Sequence, residues 1–138
     1  MENKKQEELQ QKLYLYQLLE QQQQMYTEKL VALEQEIADT MVTEEAVRQL
    51  EESDKEIMLS LGKDCFVKGS LEDKGRVIID LGAGILANKK ADKALKILES
   101  RRKDLEKNSD KISKRLELAS QQIKKMEPEL QKILGNKI

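Results

Sequence analysis

Apolar residues recur along this chain with two different periods, and the points where the period changes divide it into three. From about Lys4 to Glu52 there is neither proline nor glycine, and helix formers predominate. Placing Leu9 at heptad position a puts Tyr16, Leu30 and Ile37 at a as well, with Leu19, Tyr26 and Leu33 at d. Lys12, Gln23 and Thr40 interrupt this seam, as polar residues do where register matters more than strength. The pattern predicts one long helix, roughly 70 Å at about 1.5 Å per residue.

After Asp54 the period drops to two. Ile57, Leu59 and Leu61 share one face of an extended segment, and Val77, Ile79 and Leu81 share one face of another, with Ser60 and Asp80 pointing the other way. Leu59-Ser60-Leu61-Gly62 aligns with Ile79-Asp80-Leu81-Gly82, an internal duplication. Cys65 to Leu71 reads as a return strand leading into Glu72-Asp73-Lys74-Gly75, a charged turn or loop between the copies. Gly62 and Gly82-Ala83-Gly84 mark the reversals within each copy. Four short strands in two hairpins follow, and hairpins this small are marginal alone in water.

The helical period returns near Asn88, which reads as the N-cap of a helix starting at Lys89 or Lys90. Ala91, Leu98, Leu105, Ile112, Ala119, Met126 and Ile133 then recur every seven residues. Leu95, Leu116, Ile123 and Leu130 supply the companion position, with Arg102 and Ser109 as its polar gaps. Pro128 has two readings: a kink or fray in the last turns, or the start of a short final helix. The expected organisation is an N-terminal coiled-coil helix over 1–56, tandem β-hairpins over 57–88 and a C-terminal coiled-coil helix over 89–138. The fold class is mainly α with a small β part, a long antiparallel α-helical hairpin coiled coil joined by two tandem β-hairpins.

Charge supports the antiparallel return. Residues 1–60 hold 6 basic against 14 acidic residues, whereas 91–138 hold 13 against 8, so the two flanks attract each other. With 3% aromatic and 37% charged residues in 138, a thick core is excluded. Cys65 is the sole cysteine, which rules out an intrachain disulfide and reads as a small apolar strand residue. No apolar run approaches the roughly 18 residues that span a bilayer, and no signal-peptide core follows Met1. A soluble, cytoplasmic protein is expected.

Candidate chemistry is sparse. There is no histidine, no phosphate-cradling loop and no acylation motif, so neither an enzyme nor a metal or cofactor site is expected. Gly82-Ala83-Gly84 reads as a turn, since no βαβ pattern accompanies it. Lys89-Lys90, Arg101-Arg102-Lys103 and Lys124-Lys125 have acids interleaved and no stacking aromatics, which favours solvated helix surface over nucleic acid. The tract Gln21 to Gln24 likewise reads as solvated helix surface. The anomaly lies near the chain ends. Leu13, Tyr14, Leu15, Leu18 and Leu19 put apolar groups all round the first helix, and Leu118, Leu134 and Ile138 exceed the seam of the second. Such surface marks either an interaction site or helix packing within a larger assembly.

Three segments resemble the prefoldin family, in particular its α-type subunits. They are Val77-Ile78-Ile79-Asp80-Leu81-Gly82-Ala83-Gly84 with Ile85-Leu86-Ala87, similar to the second hairpin; Phe66-Val67-Lys68-Gly69, similar to the end of the first; and Leu13-Tyr14-Leu15-Tyr16-Gln17. Ser60-Leu61-Gly62-Lys63-Asp64 departs from the family's Pro-Leu-Gly or Pro-Ile-Gly followed by Ala-Gly. The resemblance implies a hetero-hexamer of two α-type and four β-type subunits, whose hairpins build an oligomeric β-barrel platform. Ile57, Leu59, Leu61, Val67, Val77, Ile79, Leu81 and Ile85 would form the subunit interface. It further implies an ATP-independent holdase that binds unfolded polypeptides at its coiled-coil tips and delivers them to a group II chaperonin. Leu9, Leu13, Tyr14, Leu15, Leu18, Leu118, Leu130, Leu134 and Ile138 would be the client contacts. A self-assembling α-like subunit and a structural coiled-coil scaffold are the alternatives; neither nucleic acid nor membrane is an expected partner.

Overall fold

The computed structural model describes residues 2–53 and 55–135. Helix α1 runs Glu2–Leu50 and helix α2 runs Ala91–Gly135. Between them lie strands β1 (Glu56–Gly62), β2 (Cys65–Ser70), β3 (Arg76–Asp80) and β4 (Leu86–Lys90). The chain divides into two packed units.

The first unit pairs α1 as far as Gln35 with α2 from Glu106 onward. The pairing is antiparallel: Lys12 Nζ lies 3.5 Å from Glu129 Oε2, the Tyr16 hydroxyl donates to Glu127 Oε1 at 3.3 Å, and Gln23 Nε2 donates to Ser120 Oγ at 3.0 Å. Leu9 and Leu19 of α1 and Ala119, Ile123 and Leu130 of α2 are buried, all at the heptad positions read from the sequence. Lys12 and Gln23, which interrupt the apolar stripe, are half-buried and each finds a partner on the opposite helix. Their polarity is therefore satisfied within the seam.

The second unit spans Glu36–Leu105. Here Glu44, at position a, is only 3% exposed, and both its carboxylate oxygens accept from Arg102 Nε at 3.1 Å. Arg48 adds a more open ion pair to Glu99 at 3.6 Å. Beside these charges sits a compact apolar cluster of Val47, Ile79, Ala91, Ala94 and Leu98, with Val77, Leu95 and Ile97 packed against it. Ala91 and Ala94 are small enough to let β3 lie close on the first turns of α2. Burying a side chain the size of Ile79 contributes about 2 kcal/mol.

Each hairpin is a separate two-stranded antiparallel sheet. In the first, Ile57 faces Gly69 and Leu59 faces Val67, and Gly62 pairs with Cys65 around the two-residue turn Lys63-Asp64. Asp64 takes the left-handed conformation there (φ 60°), which its short polar side chain tolerates. In the second, Val77 faces Lys89 and Ile79 faces Ala87. Its reversal runs through three consecutive left-handed residues, Gly82, Ala83 and Gly84. Asp80 Oδ1 accepts from Gly82 N at 2.7 Å and Leu81 N donates to Ile85 O at 2.8 Å, which fixes the loop.

Ala91 N donates to Gly75 O at 2.8 Å, tying the base of the second hairpin to the start of α2, while Leu71 N donates to Lys55 O at 2.8 Å and closes the base of the first hairpin. Lys74 Nζ donates to Ser53 O, and Arg101 donates to the carbonyl of Asp80.

Three local expectations need correction. Asn88 is not a helix N-cap; it lies in β4 opposite Ile78, its Oδ1 accepts from Arg76 Nε at 2.9 Å, and α2 starts only at Ala91. Lys89 and Lys90 stay extended because the ladder with Val77 and Arg76 satisfies their backbone. Pro128 does not start a separate final helix, since α2 continues through it to Gly135. α1 ends at Leu50 rather than Glu52, where Glu52 N turns back to Gln49 O at 3.2 Å.

Candidate functional site

Two surfaces carry apolar groups that the fold leaves uncovered. The first lies on the unit that pairs the outer parts of the helices. Tyr14 is 65% exposed, and Leu15, Leu18, Leu118 and Leu134 are exposed as well. They stand outside the seam because a two-helix interface covers only a stripe of each cylinder. Met25, also exposed, extends the α1 group by two turns and was not among the expected contacts; it sits at the same heptad position as Leu18, which is the signal that could have found it. Leu13 is half-buried at the margin.

Leu9 and Leu130 differ from the expectation. Both are buried seam residues, so the coiled coil itself uses the surface that a client contact would need. Ile138 lies outside the described residues. Within the seam the Tyr16 phenol is held above its usual pKa by desolvation and then by the carboxylates of Glu20 and Glu127. It stays a neutral hydrogen-bond donor at physiological pH.

The second surface is formed by the hairpins. Leu59, Leu61 and Val67 are exposed on one face of the first, with Ile57 half-buried beside them. The opposite face, which the alternation of Ile57, Leu59 and Leu61 did not draw attention to, carries exposed Met58 and Phe66. On the second hairpin Leu81 and Ile85 are exposed, but Ile79 is buried within the chain and Val77 packs beside it, so Ile79 is not a free interface residue. The outward face there belongs to Ile78 and Leu86. Period two identifies faces, not which face its own helix will cover. Every one of the four strands keeps an unpaired edge.

The basic run Arg101-Arg102 is engaged internally, by Asp80 and Glu44. Among the described residues no group of His, Cys, Asp and Glu could hold a metal ion. Likewise no helix among them is long and apolar enough to cross a membrane.

Antiparallel helices joined by two open-edged hairpins define a class of coiled-coil subunit whose sheets end in unpaired strands. The family described as "Prefoldin subunit" matches residues 19–136, and the chain belongs to the prefoldin family of chaperones. It is 32% identical over 100 residues to prefoldin subunit alpha of Pyrococcus horikoshii, covering 70% of this chain and 68% of that one. It is 24% identical over 126 residues to prefoldin subunit alpha of Archaeoglobus fulgidus, covering 89% and 91%. The fold is similar to the cryo-EM structure of filamentous PFD from Methanocaldococcus jannaschii, with a TM-score of 0.70 and 17% identity over 80% of this chain and 93% of that one. Members of the family assemble with other prefoldin subunits.

Proposed function

We propose that the chain is the α-type subunit of an ATP-independent holdase that captures non-native polypeptides on its coiled coil and passes them to a group II chaperonin in the cytoplasm. The observation that carries this reading is the exposure of Tyr14, Leu15, Leu18, Leu118 and Leu134 on helices whose seam is already filled. Apolar attraction is non-directional, so such a surface accepts many sequences. Several weak sites presented together on one assembly convert modest contacts into useful avidity.

The hairpins serve assembly in the same reading. Their open edges and the exposed Leu59, Leu61, Val67, Leu81 and Ile85 are met by neighbouring subunits, two α-type with four β-type, closing into a β-barrel. Met58, Phe66, Ile78 and Leu86 join that interface. A self-assembled homo-oligomer or filament is the second reading, favoured by the likeness to a filamentous PFD.

Two measurements decide. Native mass spectrometry of the chain alone and with a β-type subunit is expected to give a hexamer only in the mixture; long homopolymers in both samples would select the second reading. Replacing Tyr14, Leu15 and Leu18 together by serine is expected to abolish suppression of aggregation of a guanidinium-denatured protein while leaving assembly intact. Full suppression by that variant would reduce the coil to a scaffold.

A further inference from the structure

Between Gln10 and Met25 every position of α1 that points away from the seam, heptad positions b, c, f and g, is exposed and uncharged. In a chain that is 37% charged this is a marked gap. The same positions further along α1 carry Glu28, Lys29, Glu36 and Asp39. The two charges within the stretch lie at the other positions, d and e: Lys12 pairs with Glu129, and Glu20 lies beside the Tyr16 phenol. What fills the gap is a mixture of two kinds. Tyr14, Leu15, Leu18 and Met25 are apolar. Around them stand Gln10, Gln11, Gln17, Gln21, Gln22 and Gln24, all exposed, whereas the remaining glutamine of the tract, Gln23, is spent on Ser120.

We propose that this strip is a binding face for extended, uncharged segments of unfolded polypeptide, in which the apolar residues take client side chains and the glutamine amides bond the client's unpaired main chain. The proposal rests on the chaperone reading above and adds the chemistry of the client. An ionic surface would have to be desolvated on contact with an apolar segment, at a cost that unpaired charge cannot recover; neutral amides cost less to desolvate and recover that cost when they bond the client's main chain. Each glutamine offers two donors and one acceptor, the set that a strand without a partner leaves unmet. A helical client satisfies its own main chain and gives the amides nothing to bond. The strip is about 22 Å long, the span of about six or seven extended residues.

The test uses the assembled protein and a fluorescently labelled peptide alternating valine and threonine, about seven residues long to match the strip. Expected is an affinity nearly unchanged between about 0.05 and 0.5 M salt. A main-chain N-methylated version should bind about ten-fold more weakly, and Gln17→Glu with Gln21→Glu should weaken the parent peptide by a similar factor, because donors are lost while shape is kept. Equal affinity for the N-methylated or a helix-constrained peptide would overturn the assignment. So would tighter, steeply salt-dependent binding of a version with lysine or glutamate in place of threonine. In either case the chaperone reading still stands, since it falls only if the Tyr14, Leu15 and Leu18 serine variant suppresses aggregation as before.

Discussion

Leu59 and Ile79 hold equivalent places in the duplicated pattern, each three residues before the glycine that opens its reversal. Ile79 is 8% exposed, against Val47, Ala91, Ala94 and Leu98, while Leu59 is 49% exposed. Leu59 leans over Gly69, where an added Cβ would come within 3.2 Å of its Cδ1, and gains little other cover. The second hairpin is fastened to α2 by a core, by Arg101 on the Asp80 carbonyl and by Ala91 on Gly75. The first contributes no buried side chain among the described residues, and the Leu71 bond to Lys55 only extends its own ladder. A repeated strand sequence thus meets two environments: one copy is packed into its own chain, and the other is left uncovered.

The largest test of this asymmetry is a matched pair. Ile79→Ala is expected to destabilise the chain by about 2–4 kcal/mol, through lost burial and the cavity left behind. Leu59→Ala should cost the unassembled chain less than about 1 kcal/mol, because exposed positions change stability little, yet weaken association with partner subunits. Urea unfolding of the single chain and native mass spectrometry of the complex read the two effects. Equal destabilisation by both changes would erase the distinction between the hairpins.

Next in size is the ion pair beneath the second hairpin. Arg102→Met leaves the Glu44 carboxylate buried without its partner and is expected to cost about 3 kcal/mol, whereas Glu44→Leu combined with Arg102→Leu should recover most of that loss. Denaturant midpoints check both. A smaller effect is expected of Arg101→Met, about 1 kcal/mol from the lost bond to Asp80. Hydrogen exchange should show it as faster exchange in β3 and β4 with β1 and β2 unchanged.

Much of this was legible in the sequence. The heptads starting at Leu9 and Ala91 placed the seam correctly because period seven is a property of the helix pair alone. The two hairpins followed from the alternation and the glycines at their turns. Glu44 escaped notice because a charge at position a reads as surface until its partner, Arg102, is seen on the other helix. Burial of Ile79 was hidden for a related reason: the small residues Ala91 and Ala94 that admit it lie in another element. Asn88 has the composition of a cap, but the ladder opposite Ile78 claimed its backbone first. On the coil, exposure separated Tyr14, Leu15 and Leu18 from Leu9 and Leu130, a division that apolar character alone does not make.

The antiparallel pairing also sets a schedule. Tyr16 meets Glu127 across 111 residues of sequence, so during synthesis the opening turns of the chain emerge roughly 6–22 s before their mate, at about 5–20 residues per second. Throughout that interval the nascent helix carries its greasy stripe bare beside the ribosome. The amide-rich, acidic early segment is suited to keeping the chain dispersed until the last turns arrive.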